Sequence, residues 1–159
     1  MGEHCPKRAG ALVDASCCTQ QPSTASLALL EFRMPSTRPK FILVIEDNCD
    51  HAQTLVALLE LEGYRVECVP EGARGLRRVE EDLPDLIVLD FTLPDMSGAD
   101  IGKALRSASR TARIPIIMGS GMPEWVVRRY FSDFNAFLAK PLDPELLVKQ
   151  IATLTAMTT

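Results

Sequence analysis

From Lys40 onward the chain alternates strictly between short apolar runs and longer segments with helical spacing. The runs are residues 41–45, 65–69, 85–89, 114–118 and 136–139, all rich in Ile, Val, Leu or Phe. Runs of this length and composition are strands, and a strand with no polar alternation is buried on both faces. The first intervening segment is helical from about Asp50 to Glu62, with Ala52, Leu55, Val56 and Leu59 on one face and Gly63 as its C-cap. Further helices are predicted over Glu71 to Glu81 (Ala73, Leu76, Val79), Ala99 to Ser109 (Ile101, Ala104, Leu105, Ala108) and Pro123 to Phe131. The last is capped by Asp143, starts on Pro144 and is expected to bury Leu146, Leu147, Ile151 and Leu154. Five strand–helix units define an α/β fold, a doubly wound (βα)5 arrangement on a parallel sheet. Right-handed crossovers bring all the strand C-termini to one edge.

That edge is where open α/β sheets bind ligands, and here it is polar. Glu46-Asp47 follow the first strand, Asp90 the third, Ser120 the fourth and Lys140-Pro141 the fifth. Each has an ordinary reading alone. Asp47 could cap a helix, Asp90 and Asp95 could shape a loop around Pro94, Ser120 could be a turn residue between two glycines, and Lys140 could be a solvated surface group. Their joint arrival at one edge is what argues for chemistry. Three crowded acids repel, so they keep protons or hold a cation. Mg²⁺ fits, because it prefers oxygen ligands and is commonly held by one or two carboxylates plus a phosphate. A carboxylate facing a phosphoryl donor is a credible nucleophile, with Lys140 as a point charge and Ser120 as a hydroxyl donor to the phosphoryl oxygens.

The ordered set of acid pair, acid, hydroxyl and lysine-proline, with the loop Leu93-Pro94-Asp95-Met96-Ser97-Gly98, resembles the receiver domain of two-component response regulators over residues 40–157. The resemblance implies a flavodoxin-like five-stranded sheet of order 2-1-3-4-5. It implies that Asp90 accepts a phosphoryl group from a phosphohistidine on a histidine kinase or histidine phosphotransfer protein. Mg²⁺ would be held by Asp47, Asp90, the backbone carbonyl of Thr92 and, largely through water, Glu46. Ser120 matches the switch hydroxyl, Phe137 the switch aromatic and Lys140 the phosphate-binding lysine; a cis bond before Pro141 is usual in the family. Ser97, Gly121 and the turn Asp133-Phe134-Asn135 depart from the family pattern, and the turn leaves its local geometry open. Phosphorylation would draw Ser120 in, let Phe137 turn inward and reshape a face carrying Trp125, Arg128, Arg129 and Tyr130, where core packing or simple coverage of its short helix is the competing role for Trp125. Two rivals remain. A dehalogenase-type phosphatase needs an acid two residues after its nucleophile, where this chain has Thr92. A constitutive adaptor that is never phosphorylated would lack an acid or the lysine, and this chain keeps all of them.

Residues 40–159 carry 13 basic and 18 acidic groups, a poor basis for direct nucleic-acid binding. No apolar stretch is long enough for membrane insertion, and the N-terminus does not read as a signal peptide, so a cytoplasmic location is expected. Five cysteines, without zinc spacing among His4, Cys5, Cys17 and Cys18, argue against a disulfide framework or a metal cluster. Cys68 reads as a small buried hydrophobe. Residues 1–39, dotted with Pro, Ser, Thr and Gln, read as a flexible tail in which only Ala25 to Met34 could form a short helix. Met34 would serve as a start, making residues 1–33 dispensable. The expectation is a single-domain response regulator that is a phosphoacceptor and not a classical enzyme, acting through a downstream protein target.

Overall fold

The computed structural model describes residues 38–157. Strands and helices alternate as β1 (Phe41–Ile45), α1 (Cys49–Leu61), β2 (Arg65–Val69), α2 (Gly72–Glu81), β3 (Leu86–Asp90), α3 (Gly98–Ser107), β4 (Ile116–Ser120), α4 (Glu124–Tyr130), β5 (Ala136–Ala139) and α5 (Pro144–Ala156). All neighbouring strands are parallel. Their order is β2-β1-β3-β4-β5, as the resemblance implied. The expectations for residues 1–37, including the tail and its short helix, lie outside the described residues.

Strand β1 explains its own sequence. All five of its residues are buried; Phe41, Leu43 and Ile45 join the core beneath α2, α3 and α4, while Ile42 and Val44 join the core beneath α1 and α5. Burying each such side chain contributes about 1.5–3 kcal/mol, so both faces must be apolar. Gly63, at φ +86°, ends α1 in the left-handed region as expected. Asp143 caps α5 by accepting from Glu145 N (2.9 Å) and Leu146 N (3.1 Å).

Several boundaries and faces differ from the sequence expectation. β4 begins at Ile116, two residues after the start of its apolar run, because Pro115 has no N–H for a ladder; its carbonyl instead accepts from Ile87 N (2.9 Å). β3 is likewise one residue later and includes Asp90. Asp85 stands before it as a staple, accepting from Phe41 N (2.8 Å) and Lys40 Nζ (3.2 Å). Helix α3 ends at Ser107, and Ala104 and Ala108 are exposed. Its buried face instead includes Gly102, which lets the Phe131 ring come close. Leu146 is exposed, because Leu147 and Ile151, one turn apart, set the inward face of α5. Cys68 is half-buried against the α1 side of the core.

The turn before β5 is well fixed. Asn135 N donates to Ile116 O (2.9 Å), and its side-chain oxygen accepts from Ile116 N (2.9 Å) and Arg106 (3.2 Å). Arg106 also donates to the carbonyls of Ile114 (2.9 Å) and Asp133 (3.1 Å). Phe134 is buried between Phe131 and Phe137.

Candidate functional site

The ladder carries on past the strands to fix the backbone of the site. Glu46 N donates to Val69 O (3.0 Å), Phe91 N to Gly119 O (2.9 Å) and Lys140 N to Ser120 O (2.9 Å). Asp90 is the last residue of β3, opposite Gly119, and Ser120 the last of β4, opposite Ala139. Lys140 follows β5 directly, through a cis bond to Pro141.

This framework brings the polar residues together as the sequence predicts. Lys140 Nζ lies 2.6 Å from Asp90 Oδ2 and 2.9 and 2.7 Å from the two Glu46 oxygens. Asp90 Oδ1 accepts from Thr92 N (3.0 Å). Glu46 and Asp90 are almost wholly buried, whereas Asp47 is exposed. Burial pushes the Asp90 carboxyl above the ordinary carboxylate value, against the opposing pull of Lys140 and Thr92 N. Burial also works against the Lys140 ammonium, but its bonds to Asp90 and Glu46 outweigh that and raise it above an ordinary lysine.

One carboxylate oxygen from each of Glu46, Asp47 and Asp90 falls within 4.8 Å of the others. An all-oxygen, anionic set of this size fits Mg²⁺, which keeps part of its water shell and needs few protein ligands. Thr92, two residues after Asp90, lies at the start of the same loop. That loop is closed at its base: Thr92 and Ser97 form an antiparallel bridge, and Gly98 N donates to Phe91 O (2.8 Å). A Cβ on Gly98 would lie 2.4 Å from Asp90 O, so no larger residue fits without moving the Asp90 backbone.

Ser120 is buried, and its Oγ accepts from Met122 N (2.9 Å), which leaves the hydroxyl proton to donate elsewhere. Phe137 is half-buried, its ring 6.2 Å from that of Phe134. Trp125 is 66% exposed, which decides against core packing for it. Tyr130 and Arg129 are exposed beside it, while Arg128 is exposed but pairs with Glu124 and stacks over Phe134 (4.3 Å).

Two site-supporting roles are absent from the sequence expectation. Ser97 caps α3 by accepting from Asp100 N (3.2 Å) and donating to Asp100 Oδ2 (2.7 Å). The Ser-Gly-Ala-Asp spacing of a capping box carried that signal. Asp95 accepts from Gly72 N (2.9 Å) and Ala73 N (2.8 Å), at the start of a helix whose own N-cap residue, Glu71, makes no side-chain cap bond. The Ala73 and Gly72 N–H groups hold the Asp95 carboxyl below its ordinary value. No local pattern could have signalled a cap from so far along the chain.

A family model for the response regulator receiver domain matches residues 42–152. The chain belongs to this family. The receiver is 35% identical over 116 residues to the phosphate regulon transcriptional regulatory protein PhoB of Rhizobium meliloti, a match covering 71% of this chain and 51% of PhoB. It is 33% identical over 112 residues to the DNA-binding response regulator MtrA of Mycobacterium tuberculosis, covering 69% of this chain and 48% of MtrA. The chain thus spans about half the length of the curated relatives it matches. Among solved structures, the receiver domain of the sensor histidine kinase PA1611 from Pseudomonas aeruginosa superposes with a TM-score of 0.69 at 28% identity, covering 74% of this chain and 98% of that one; that structure has a magnesium ion coordinated in its active site cleft.

Proposed function

We propose that this receiver is a phosphorylation switch: Asp90 accepts a phosphoryl group from a phosphohistidine on a histidine kinase or histidine phosphotransfer protein. The observation that carries the reading is the Glu46-Asp47-Asp90 cluster with Lys140 bridging its two buried acids. Glu46, Asp47, Asp90 and the Thr92 carbonyl would hold Mg²⁺, which supplies positive charge to the phosphoryl oxygens. An Asp90 carboxylate oxygen forms the new bond to phosphorus as the donor's P–N bond breaks, and the imidazole leaves with that electron pair. Lys140, already against Asp90, turns its donors to the transferred oxygens, and Ser120 donates a hydrogen bond from its hydroxyl to another. The acceptor is itself modified, so the domain is a switch and not a classical enzyme.

The change is read on the face that carries Phe137 and α4. When Ser120 moves toward the phosphoryl group, Phe137 turns inward and the surface around Trp125, Arg129 and Tyr130 alters for a protein partner. The acidic balance of residues 40–159 argues against direct contact with nucleic acid by the domain itself. No helix among the described residues is long and apolar enough to cross a membrane, and a phosphohistidine donor of this class fits a cytoplasmic setting.

Incubation with acetyl phosphate, with and without Mg²⁺, tests the reading by intact mass. One added phosphoryl group is expected only when the metal is present. Beryllofluoride with Mg²⁺ should also change the Trp125 fluorescence. No uptake and no fluorescence response would leave a receiver fold serving as a constitutive adaptor.

A further inference from the structure

The loop that follows Asp90 is held at two places. At its base, the Thr92–Ser97 bridge and the Gly98 N to Phe91 O bond close it into a narrow turn. At its tip, the two Asp95 oxygens take the N–H groups of Gly72 and Ala73, 23 and 22 residues earlier in the chain. A further contact lies beside the first: a Cβ on Gly72 would come within 2.6 Å of Met96 Cγ and 2.6 Å of Ile101 Cδ1, so α2 begins hard against the loop and α3. Both attachments are at the sheet edge that carries the acid cluster, because α2 starts just after β2, whose Val69 carbonyl receives Glu46 N.

We propose that Asp95 is a positioning residue for the metal site: by tethering the loop tip to α2 it fixes the direction of the Thr92 carbonyl. The inference rests on the assignment of that carbonyl as a Mg²⁺ ligand. Asp95 is not a member of the acid cluster, and its two carboxylate oxygens are taken up by the start of α2, so it acts through the loop. With the tip released, residues 93–96 lose their anchor and the single Thr92–Ser97 bridge is the loop's remaining hold on Thr92, so its carbonyl samples directions away from the carboxylates. Mg²⁺ tolerates little departure from octahedral geometry, so a loosened ligand lowers its affinity directly.

The same two bonds also cap α2, and capping alone would affect stability. The two effects separate in a double variant. Asp95→Ala removes the tether and the cap together. Adding Glu71→Ser gives α2 a cap from its own N-cap position, where the present side chain makes no cap bond, but does not restore the tether. Mg²⁺ alone is titrated by calorimetry into the full chain, and thermal midpoints are recorded in parallel without metal. Asp95→Ala should weaken Mg²⁺ binding by about two- to thirtyfold and lower the midpoint. The double variant should regain the midpoint and keep the weak binding. Asp95→Asn, with one carbonyl oxygen left to accept, should fall between the wild type and Asp95→Ala. Wild-type affinity in Asp95→Ala, or its return in the double variant, overturns the tether. A wild-type protein that binds no Mg²⁺ refutes the metal site itself, and the tether with it.

Discussion

Replacing Lys140 with Met removes the cation that bridges Glu46 and Asp90, while keeping most of the apolar volume of the side chain. The loss can be sized from the geometry. Three short contacts of 2.6–2.9 Å disappear, and two carboxylates that are 4% and 6% exposed are left facing one another. Removing one partner from a buried ion pair costs about 3–5 kcal/mol, mostly because the remaining charge stays buried without compensation. The lower end, about 3 kcal/mol, applies here, because Lys140 is 23% exposed and Asp90 keeps the Thr92 N–H. For a domain of this size that is a fall of about 10 °C in thermal midpoint.

The pH dependence distinguishes this account from simple loss of packing. Lys140 has a raised folded value, so in the wild type its contribution is full below the ordinary lysine value of about 10.4 and is lost only as pH rises through the folded one. At neutral pH the variant therefore shows the whole deficit. On mild acidification the Asp90 carboxyl of the variant, raised by burial and no longer opposed by Lys140, takes up a proton and the deficit narrows. Added Mg²⁺ should narrow it as well, by replacing the missing charge. Thermal unfolding by circular dichroism, with and without Mg²⁺ at both pH values, measures all of this. A deficit that ignores pH and metal would refute the electrostatic reasoning.

Asp90→Asn should show the opposite pH behaviour to the loss of a paired acid. Burial raises Asp90, so its contribution is present below the ordinary value of about 3.9 and lost as pH rises through the folded value; the variant, which cannot ionise, should gain on the wild type across that window, and parallel stability profiles would refute this. Met122, exposed two residues after Ser120, offers no hydrogen bond to a water attacking the acyl phosphate, so Met122→Glu should speed dephosphorylation by about tenfold or more with little change in uptake. An unchanged or slower decay in a phosphate-release assay would refute that view of the phosphorylated lifetime.

The fold was legible because a parallel sheet covered on both faces demands uninterrupted apolar strands, and β1 is an unbroken apolar run. The same logic placed the acid pair, Asp90, Ser120 and Lys140 at one edge without knowledge of any contact between them. What escaped depended on geometry that spacing does not encode. Pro115 belongs to the apolar run before β4 but has no N–H for the ladder, so the run and the strand differ. Leu146 and Leu147 are equally apolar, and only the phase of α5 against its neighbours decides which is buried. The Lys140–Glu46 grip joins residues 94 apart, and Asp95, beside Pro94, reads locally as a loop former until the start of α2 is set next to it.

The most direct measurement is the position of the phosphoryl group itself. The full chain is treated with acetyl phosphate and Mg²⁺, the acyl phosphate is trapped by borohydride reduction, and the peptides are sequenced by mass spectrometry. The account predicts one reduced residue, at position 90, and none when Mg²⁺ is withheld. Reduction at Asp47, Asp95 or any other carboxylate, or at none, would contradict it.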